Sequence, residues 1–280
     1  MDMTNPLVAV HELHAAQETG EPITLIDVRW TPHGPTSIER FRAGHLPTAV
    51  PADLDTDLAA PAGRGGRHPL PDPTAFQAAM RRSGVRQDCP VVVYDQRDST
   101  VCARLWWMLR YFGHRDVRVL DGGLDAWAGA GLPIETGDPK PVEPGDLTVV
   151  PGAMPMVTVE QVPEVARHGV LLDARAAERY RGEVEPLDPV AGHIPGALCA
   201  PTSDNNGADG RLLPPSELRA RFAGLGITDG TTVAAYCGSG VSAAHQVLAL
   251  WLAGVEAALY VGSWSDWITD PTRPVARGAA

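Results

Sequence analysis

Two successive α/β domains, each a parallel sheet with helices on both faces, are what this chain of 280 residues predicts. Three observations predict them. Short β-rich runs bounded by turns alternate with longer amphipathic or apolar helical segments, the pattern of parallel strands joined by crossover helices. The same elements occur twice in the same order, at a spacing too long for a solenoid unit and right for a whole domain. The length suffices for two ordinary hydrophobic cores.

In the first copy, residues 23–28 and 91–94 are short, β-rich and bounded by turns, as buried parallel strands are. Residues 101–112 read as a helix stopped by Gly113, and 117–120 as the next strand. The second copy repeats this with strands at 170–173, 232–236 and 257–261 and a helix at 242–252 that ends before Gly254. The repeat is visible residue by residue. Leu25-Ile26-Asp27-Val28-Arg29 recurs as Leu171-Leu172-Asp173-Ala174-Arg175, and Gly44-His45-Leu46-Pro47 as Gly192-His193-Ile194-Pro195. Val91-Val92-Val93-Tyr94-Asp95 lines up with Val233-Ala234-Ala235-Tyr236-Cys237, so Asp95 holds the place of Cys237. Gly122-Gly123-Leu124-Asp125-Ala126-Trp127 lines up with Gly262-Ser263-Trp264-Ser265-Asp266-Trp267. The copies span 1–137 and 156–280, joined by a linker at 138–155 within a Pro-, Gly- and Asp-rich stretch, and 61–73 reads as a long surface loop.

Composition narrows the function. A net charge of −11 argues against general binding to nucleic acid or to an anionic membrane surface, so an anionic substrate must meet a local positive site. No apolar run reaches the length of a membrane span, and His11, Glu12 and His14 interrupt any signal-peptide core. A soluble cytoplasmic protein is expected. The four cysteines, Cys89, Cys102, Cys199 and Cys237, form no Cys-x-x-Cys pair and no zinc spacing. They read as reduced thiols, Cys237 reactive and the others structural, and neither metal nor cofactor is expected.

The chemistry concentrates in Tyr236-Cys237-Gly238-Ser239-Gly240-Val241-Ser242. A cysteine at the carboxyl end of a strand, in a Gly-x-Gly loop that opens a helix, sits where ligands of open parallel sheets bind. Successive loop N–H groups and the positive end of the helix both stabilise a thiolate there. Two glycines and two hydroxyl side chains would pack a core cysteine poorly but cradle an anion well.

These motifs, with Gly192-His193-Ile194-Pro195-Gly196-Ala197 and Tyr260-Val261-Gly262-Ser263-Trp264-Ser265-Asp266-Trp267, resemble those of the tandem-domain rhodanese-type sulfurtransferases over nearly the whole chain. The Cys-Gly-Ser-Gly-Val-Ser loop looks most like that of the 3-mercaptopyruvate sulfurtransferases; the thiosulfate enzymes typically follow the cysteine with basic residues. The resemblance implies two rhodanese-like domains, the first inactive because of Asp95. It implies transfer of sulfane sulfur through a Cys237 persulfide to a thiol, such as that of a thioredoxin-like protein, or to cyanide.

The resemblance also implies site residues. Cys237 and Ser239 are catalytic, the serine handling a proton. Gly238, Gly240, Val241 and Ser242 are substrate-binding as the loop around the sulfur, and so is Arg179, which matches the arginine that grips the donor carboxylate, a task suited to a permanently charged, bidentate guanidinium. His45 matches a histidine placed in a relay with the serine, while the relay's aspartate falls near Gly34 and is missing; a turn-capping role like that of His193 is the alternative. Trp30 is a pocket candidate, Trp264 and Trp267 are core, and Arg29 and Arg175 read as structural, paired with their own aspartates or with backbone. A second arginine usual in the mercaptopyruvate enzymes is replaced by Glu183-Val184-Glu185-Pro186-Leu187-Asp188, which keeps thiosulfate open as donor. A cysteine phosphatase would need an arginine six positions after Cys237, where Ala243 stands. A non-catalytic sulfur carrier or binding module is the remaining reading; a low-pKa thiol would distinguish an enzyme from it.

Overall fold

A computed structural model describes residues 5–279 and divides them into two compact units. The first comprises residues 5–60, 71–153 and 208–212; the second comprises 61–70, 154–207 and 213–279. Among the described residues, nine strands make two wholly parallel sheets.

In the first unit, strands β1 (Leu7–Val8), β2 (Thr24–Asp27), β3 (Val50–Pro51), β4 (Val91–Tyr94) and β5 (Val117–Leu120) lie in the order β1-β5-β4-β2-β3. All four residues of β4 are buried. Val92 and Tyr94 face a core with Leu25, Phe41, Leu46 and Trp127, while Val91 and Val93 are equally covered on the opposite face, which explains the run without polar alternation. In the second unit, β6 (Val170–Asp173), β7 (Leu198–Cys199), β8 (Val233–Tyr236) and β9 (Ala258–Leu259) lie in the order β7-β6-β8-β9. Ala234 and Tyr236 of β8 face Leu171, Tyr180, Ile194, Trp264 and Trp267. The helix Val241–Leu252 packs on this sheet, and ten of its residues are buried.

The repeated Asp-x-Arg motif is a buried brace in each sheet. Arg175 Nε and Nη2 donate to Asp173 at 3.0 and 2.6 Å, and Nη2 also donates to the carbonyl of Gly192 at 2.7 Å. Arg29 repeats this with Asp27 and the carbonyl of Gly44. Each arginine therefore ties the end of a strand to the Gly-His turn of its own unit.

Three segments depart from the sequence expectation, the shortest being 208–212, which lies in the second copy by sequence and belongs to the first unit. The stretch 138–155 carries no helix or strand but is no free tether. Gly145, Leu147 and Val150 donate backbone N–H groups to Arg81, Val85 and Phe112, and Leu147 is fully buried, so the chain through Ala153 is strapped to the first unit. Residues 61–70, expected as surface loop of the first copy, belong instead to the second unit.

Candidate active site

Strand β8 carries an apolar run up to Tyr236 and delivers Cys237 at its carboxyl end. The chain then turns through Gly238-Ser239-Gly240 into the helix Val241–Leu252. Gly240 has φ +80°, a left-handed conformation that costs glycine nothing and aims its N–H back into the loop. That N–H donates to Cys237 Sγ at 3.1 Å, and Cys237 is only 2% exposed. Charge on the sulfur is thus met by a backbone donor and by the start of a three-turn helix. Val241 is buried and Ser242 half-buried in its first turn.

The loop is fixed from behind. Cys237 N–H donates to Ser263 Oγ at 3.0 Å, and the carbonyls of Cys237 and Gly238 accept from Trp264 and Ser265 at 3.0 and 2.9 Å. Ser263 adopts φ +56°, where the matching residue of the first copy is Gly123 at φ +57°. A side chain is strained there by about 1 kcal/mol or more. Its hydroxyl offsets the strain by accepting from Cys237 and donating to the Tyr260 carbonyl at 2.9 Å.

Residues 61–70 bring two side chains that the sequence reading did not single out. Gly63 and Gly66 exchange backbone hydrogen bonds at 3.0 Å, and Arg67 N–H donates to Ser265 Oγ at 3.0 Å, docking this turn against the loop. His68, 8% exposed, shares a hydrogen bond between its Nδ1 and Ser239 Oγ at 2.8 Å. The histidine partner of Ser239 is therefore His68 and not His45. His45 is occupied elsewhere in the first unit: Nδ1 bonds the Phe41 carbonyl at 2.8 Å and the ring stacks on Phe41 at 3.7 Å. His193 does the same with Tyr180, at 2.8 and 3.8 Å. Both repeat histidines brace their turns. Trp30 is half-buried in the first unit, its Nε1 donating to Asp55 at 2.9 Å.

Arg179 lies on the short helix Ala177–Arg181, its side chain only 16% exposed. Its Nη2 contacts Glu185 at 2.6 Å and Asp188 at 3.3 Å, and Arg175 Nη1 meets Glu185 at 3.3 Å. Asp188 also pairs with Arg67. Both carboxylates are only 4% exposed, so the acidic segment that stands in place of a second arginine folds onto the cations. A methyl group on Gly238 would sit 2.8 Å from Arg67 Nη2 and 3.6 Å from Arg179 Nη1 and Nη2. Glycine beside Cys237 leaves that space to the guanidinium groups.

In the first unit, Asp95 fills the equivalent cradle with its own carboxylate. Oδ1 accepts from the N–H groups of Arg97 and Ser99, both at 3.1 Å, and Oδ2 from Val101 and Cys102 at 2.9 and 3.2 Å. Burial, reinforced by the charge of Asp98, raises its pKa to about 6 despite those donors. Among the described residues no three His, Cys, Asp or Glu side chains gather as metal ligands, and no helix is long and apolar enough to cross a membrane.

Comparison with known proteins agrees with this geometry. The family model of the rhodanese-like domain matches the chain twice, over residues 9–130 and 159–270. A Pseudomonas aeruginosa protein provisionally named 3-mercaptopyruvate sulfurtransferase is 47% identical over 274 residues, covering 94% of this chain and 95% of its own. A Mycobacterium tuberculosis protein provisionally named thiosulfate sulfurtransferase SseB is 46% identical over 282 residues, covering 98% of each. Among solved structures, SseA from Escherichia coli, reported for the rhodanese fold and catalytic mechanism of 3-mercaptopyruvate sulfotransferases, superposes with a TM-score of 0.82 at 34% identity. The match covers 94% of this chain and all of that one.

Proposed function

The chain belongs to the rhodanese-like domain family and is a sulfurtransferase, and on that premise we propose that Cys237 carries the sulfur as a persulfide and that 3-mercaptopyruvate is the donor. The observation that carries this reading is the cradle itself: a buried sulfur accepting the Gly240 N–H at 3.1 Å, with Ser239 and His68 joined at 2.8 Å one residue away.

The chemistry runs in two steps. The Cys237 thiolate attacks the donor sulfur, an S–S bond forms, and the C–S bond breaks with its electron pair passing to pyruvate enolate. The enolate takes a proton and leaves as pyruvate, and the Ser239–His68 pair is placed to supply that proton. A thiol acceptor, such as that of a thioredoxin-like protein, or cyanide then attacks the outer sulfur and returns Cys237 as thiolate. The Gly240 N–H and the helix terminus stabilise negative charge on Cys237 at the start and the end of the cycle.

Mercaptopyruvate is favoured because Gly238 and Ser239 offer no charge of their own, so the anionic group of the donor must be held by the arginines. Thiosulfate remains the second reading, favoured by the acidic residues already on Arg179 and by the name of the Mycobacterium tuberculosis relative. The first copy is inactive in this proposal, because Asp95 is a carboxylate whose oxygens are already taken by four N–H groups. A cytoplasmic location belongs to the same reading, with all four cysteines free as expected where thiols stay reduced.

The test is kcat/KM of the purified protein for 3-mercaptopyruvate and for thiosulfate, with cyanide or a dithiol as acceptor and Cys237→Ser as control. A large preference for mercaptopyruvate, abolished in Cys237→Ser, is expected. A preference for thiosulfate would overturn the donor, and activity that survives Cys237→Ser would overturn the persulfide.

A further inference from the structure

The donor reading leaves an imbalance at the site. One arginine, Arg179, is available from the helix Ala177–Arg181, and the segment after it is acidic. The structure brings a second guanidinium from elsewhere in the chain. Arg67, in the turn 61–70, pairs through Nη1 with one oxygen of Asp188, while Arg179 Nη2 contacts the other at 3.3 Å. The two guanidinium groups therefore already share one carboxylate, which holds like charges side by side that would otherwise repel.

What they leave open is the informative part. Arg67 Nη2 and Arg179 Nη1 take no acceptor among the described residues. Both approach Gly238, the neighbour of Cys237, at 2.8 and 3.6 Å from the place a Cβ would occupy. Arg67 is 29% and Arg179 16% exposed at the side chain, whereas Asp188 behind them is 4%. Three bonds separate the sulfur of a mercaptopyruvate from its carboxylate carbon. A donor with its sulfur on Cys237 thus carries its carboxylate about one residue away, where these N–H groups converge.

Resting on the reading of 3-mercaptopyruvate as donor, we infer that Arg67 is a substrate-binding residue. With Arg179 it forms a two-guanidinium fork over Gly238 that takes the donor carboxylate. Asp188 is the positioning residue that orients both cations from behind. The turn 61–70 thereby supplies two groups to one reaction, His68 to the proton and Arg67 to the charge.

Two readouts test this in Arg67→Gln and Arg67→Lys. The lysine variant keeps a charge for Asp188 while losing the planar fork, so it guards against simple misfolding. One readout is KM and kcat for 3-mercaptopyruvate. The other is protection of Cys237 from iodoacetamide by pyruvate, which has the carboxylate but no transferable sulfur. Loss of a charge-assisted contact should raise KM and weaken protection about tenfold or more in Arg67→Gln, with kcat within about threefold and Arg67→Lys in between. A folded Arg67→Gln protein with unchanged KM and unchanged protection overturns the inference while leaving the donor assignment intact. Wild-type protein that turns over thiosulfate but not mercaptopyruvate, and that pyruvate does not protect, overturns the donor assignment and this inference with it.

Discussion

Removing the hydroxyl of Ser239 or the imidazole of His68 should slow sulfur transfer by the same factor, and removing both should slow it no further. The two side chains are 7% and 8% exposed and meet at 2.8 Å, so they form one buried hydrogen-bonded unit with little water to substitute for either. A positioned proton donor contributes about 10²–10⁴ in rate. At 1.36 kcal/mol per factor of ten, that is about 2.7–5.4 kcal/mol of barrier. The lower end is expected here, because solvent can still protonate an enolate once it has formed. Ser239→Ala and His68→Gln should each lose about a hundredfold in the pyruvate-forming step, measured in single turnover with enzyme in excess of mercaptopyruvate. The double variant should match the singles, as groups acting as a unit do. Alkylation of Cys237 by iodoacetamide in each variant checks that the nucleophile itself is intact. Single-turnover rates within threefold of wild type in either variant, or losses that multiply in the double variant, would refute the pairing as a proton path.

The first copy is open to two simpler tests. Asp95→Ala should leave kcat/KM near wild type, since no chemistry is assigned to that loop; a loss equal to that of Cys237→Ser would sink the model of one active copy. The same variant has a pH signature. With a native pKa of about 6 against 3.8 ordinarily, Asp95 binds its proton more tightly folded than unfolded. Its contribution to stability is full below about pH 4 and is lost as pH rises through 6, so Asp95→Ala should flatten the decline in Tm across that window; an unchanged slope would assign the decline to other groups. In the second unit, Asp173→Ala strands Arg175, 1% exposed at the side chain, beside a vacancy. About 3–5 kcal/mol of stability should be lost, visible as a lower urea midpoint, and a loss below about 1 kcal/mol would mean that Glu185 and the Gly192 carbonyl suffice for the charge.

The elements that were legible in the sequence are those whose signal is local. Residues 91–94, 117–120 and 170–173 were read with the bounds the structure has, because a strand buried on both faces needs an unbroken apolar run and a turn at each end. The geometry of the Cys237 loop was legible for a similar reason, since Gly-x-Gly between strand and helix is a local requirement of the backbone. Both Asp-x-Arg pairs were legible too, as side chains two residues apart on one strand end. His68 and Arg67 were not. Their roles depend on the turn 61–70 packing against 262–265, where a methyl on Gly66 would press to 2.6 Å on the Gly262 carbonyl, and nothing within the turn announces that contact. The one local signal was length: a 13-residue Pro- and Gly-rich loop is long for a compact domain, and such loops are commonly functional. At His45 the resemblance pointed to a relay while the repeat pointed to a turn brace, and the repeat agrees with the structure: His45 and His193 stand in matching Gly-His turns and each bonds a backbone carbonyl of its own unit.

The contrast between the copies goes beyond one side chain. Asp95 reaches its four donors in a loop whose helix begins at Cys102, seven positions on, whereas the helix after Cys237 begins at Val241, four positions on. The longer loop brings enough N–H groups inward to saturate two carboxylate oxygens, which fills the cradle with an internal carboxylate and leaves nothing for a ligand to claim. The shorter loop, with Gly238 and Gly240, turns one N–H onto a single sulfur and keeps the adjacent face clear of Cβ atoms. In the proposed reading Cys237 acts there as a nucleophilic thiolate, and a bare glycine beside it leaves room for the donor and the cations that hold it. Loop length, glycine placement and the identity of the anion therefore change together, and in the proposed reading the same strand end serves as a structural knot in one unit and as the reaction centre in the other.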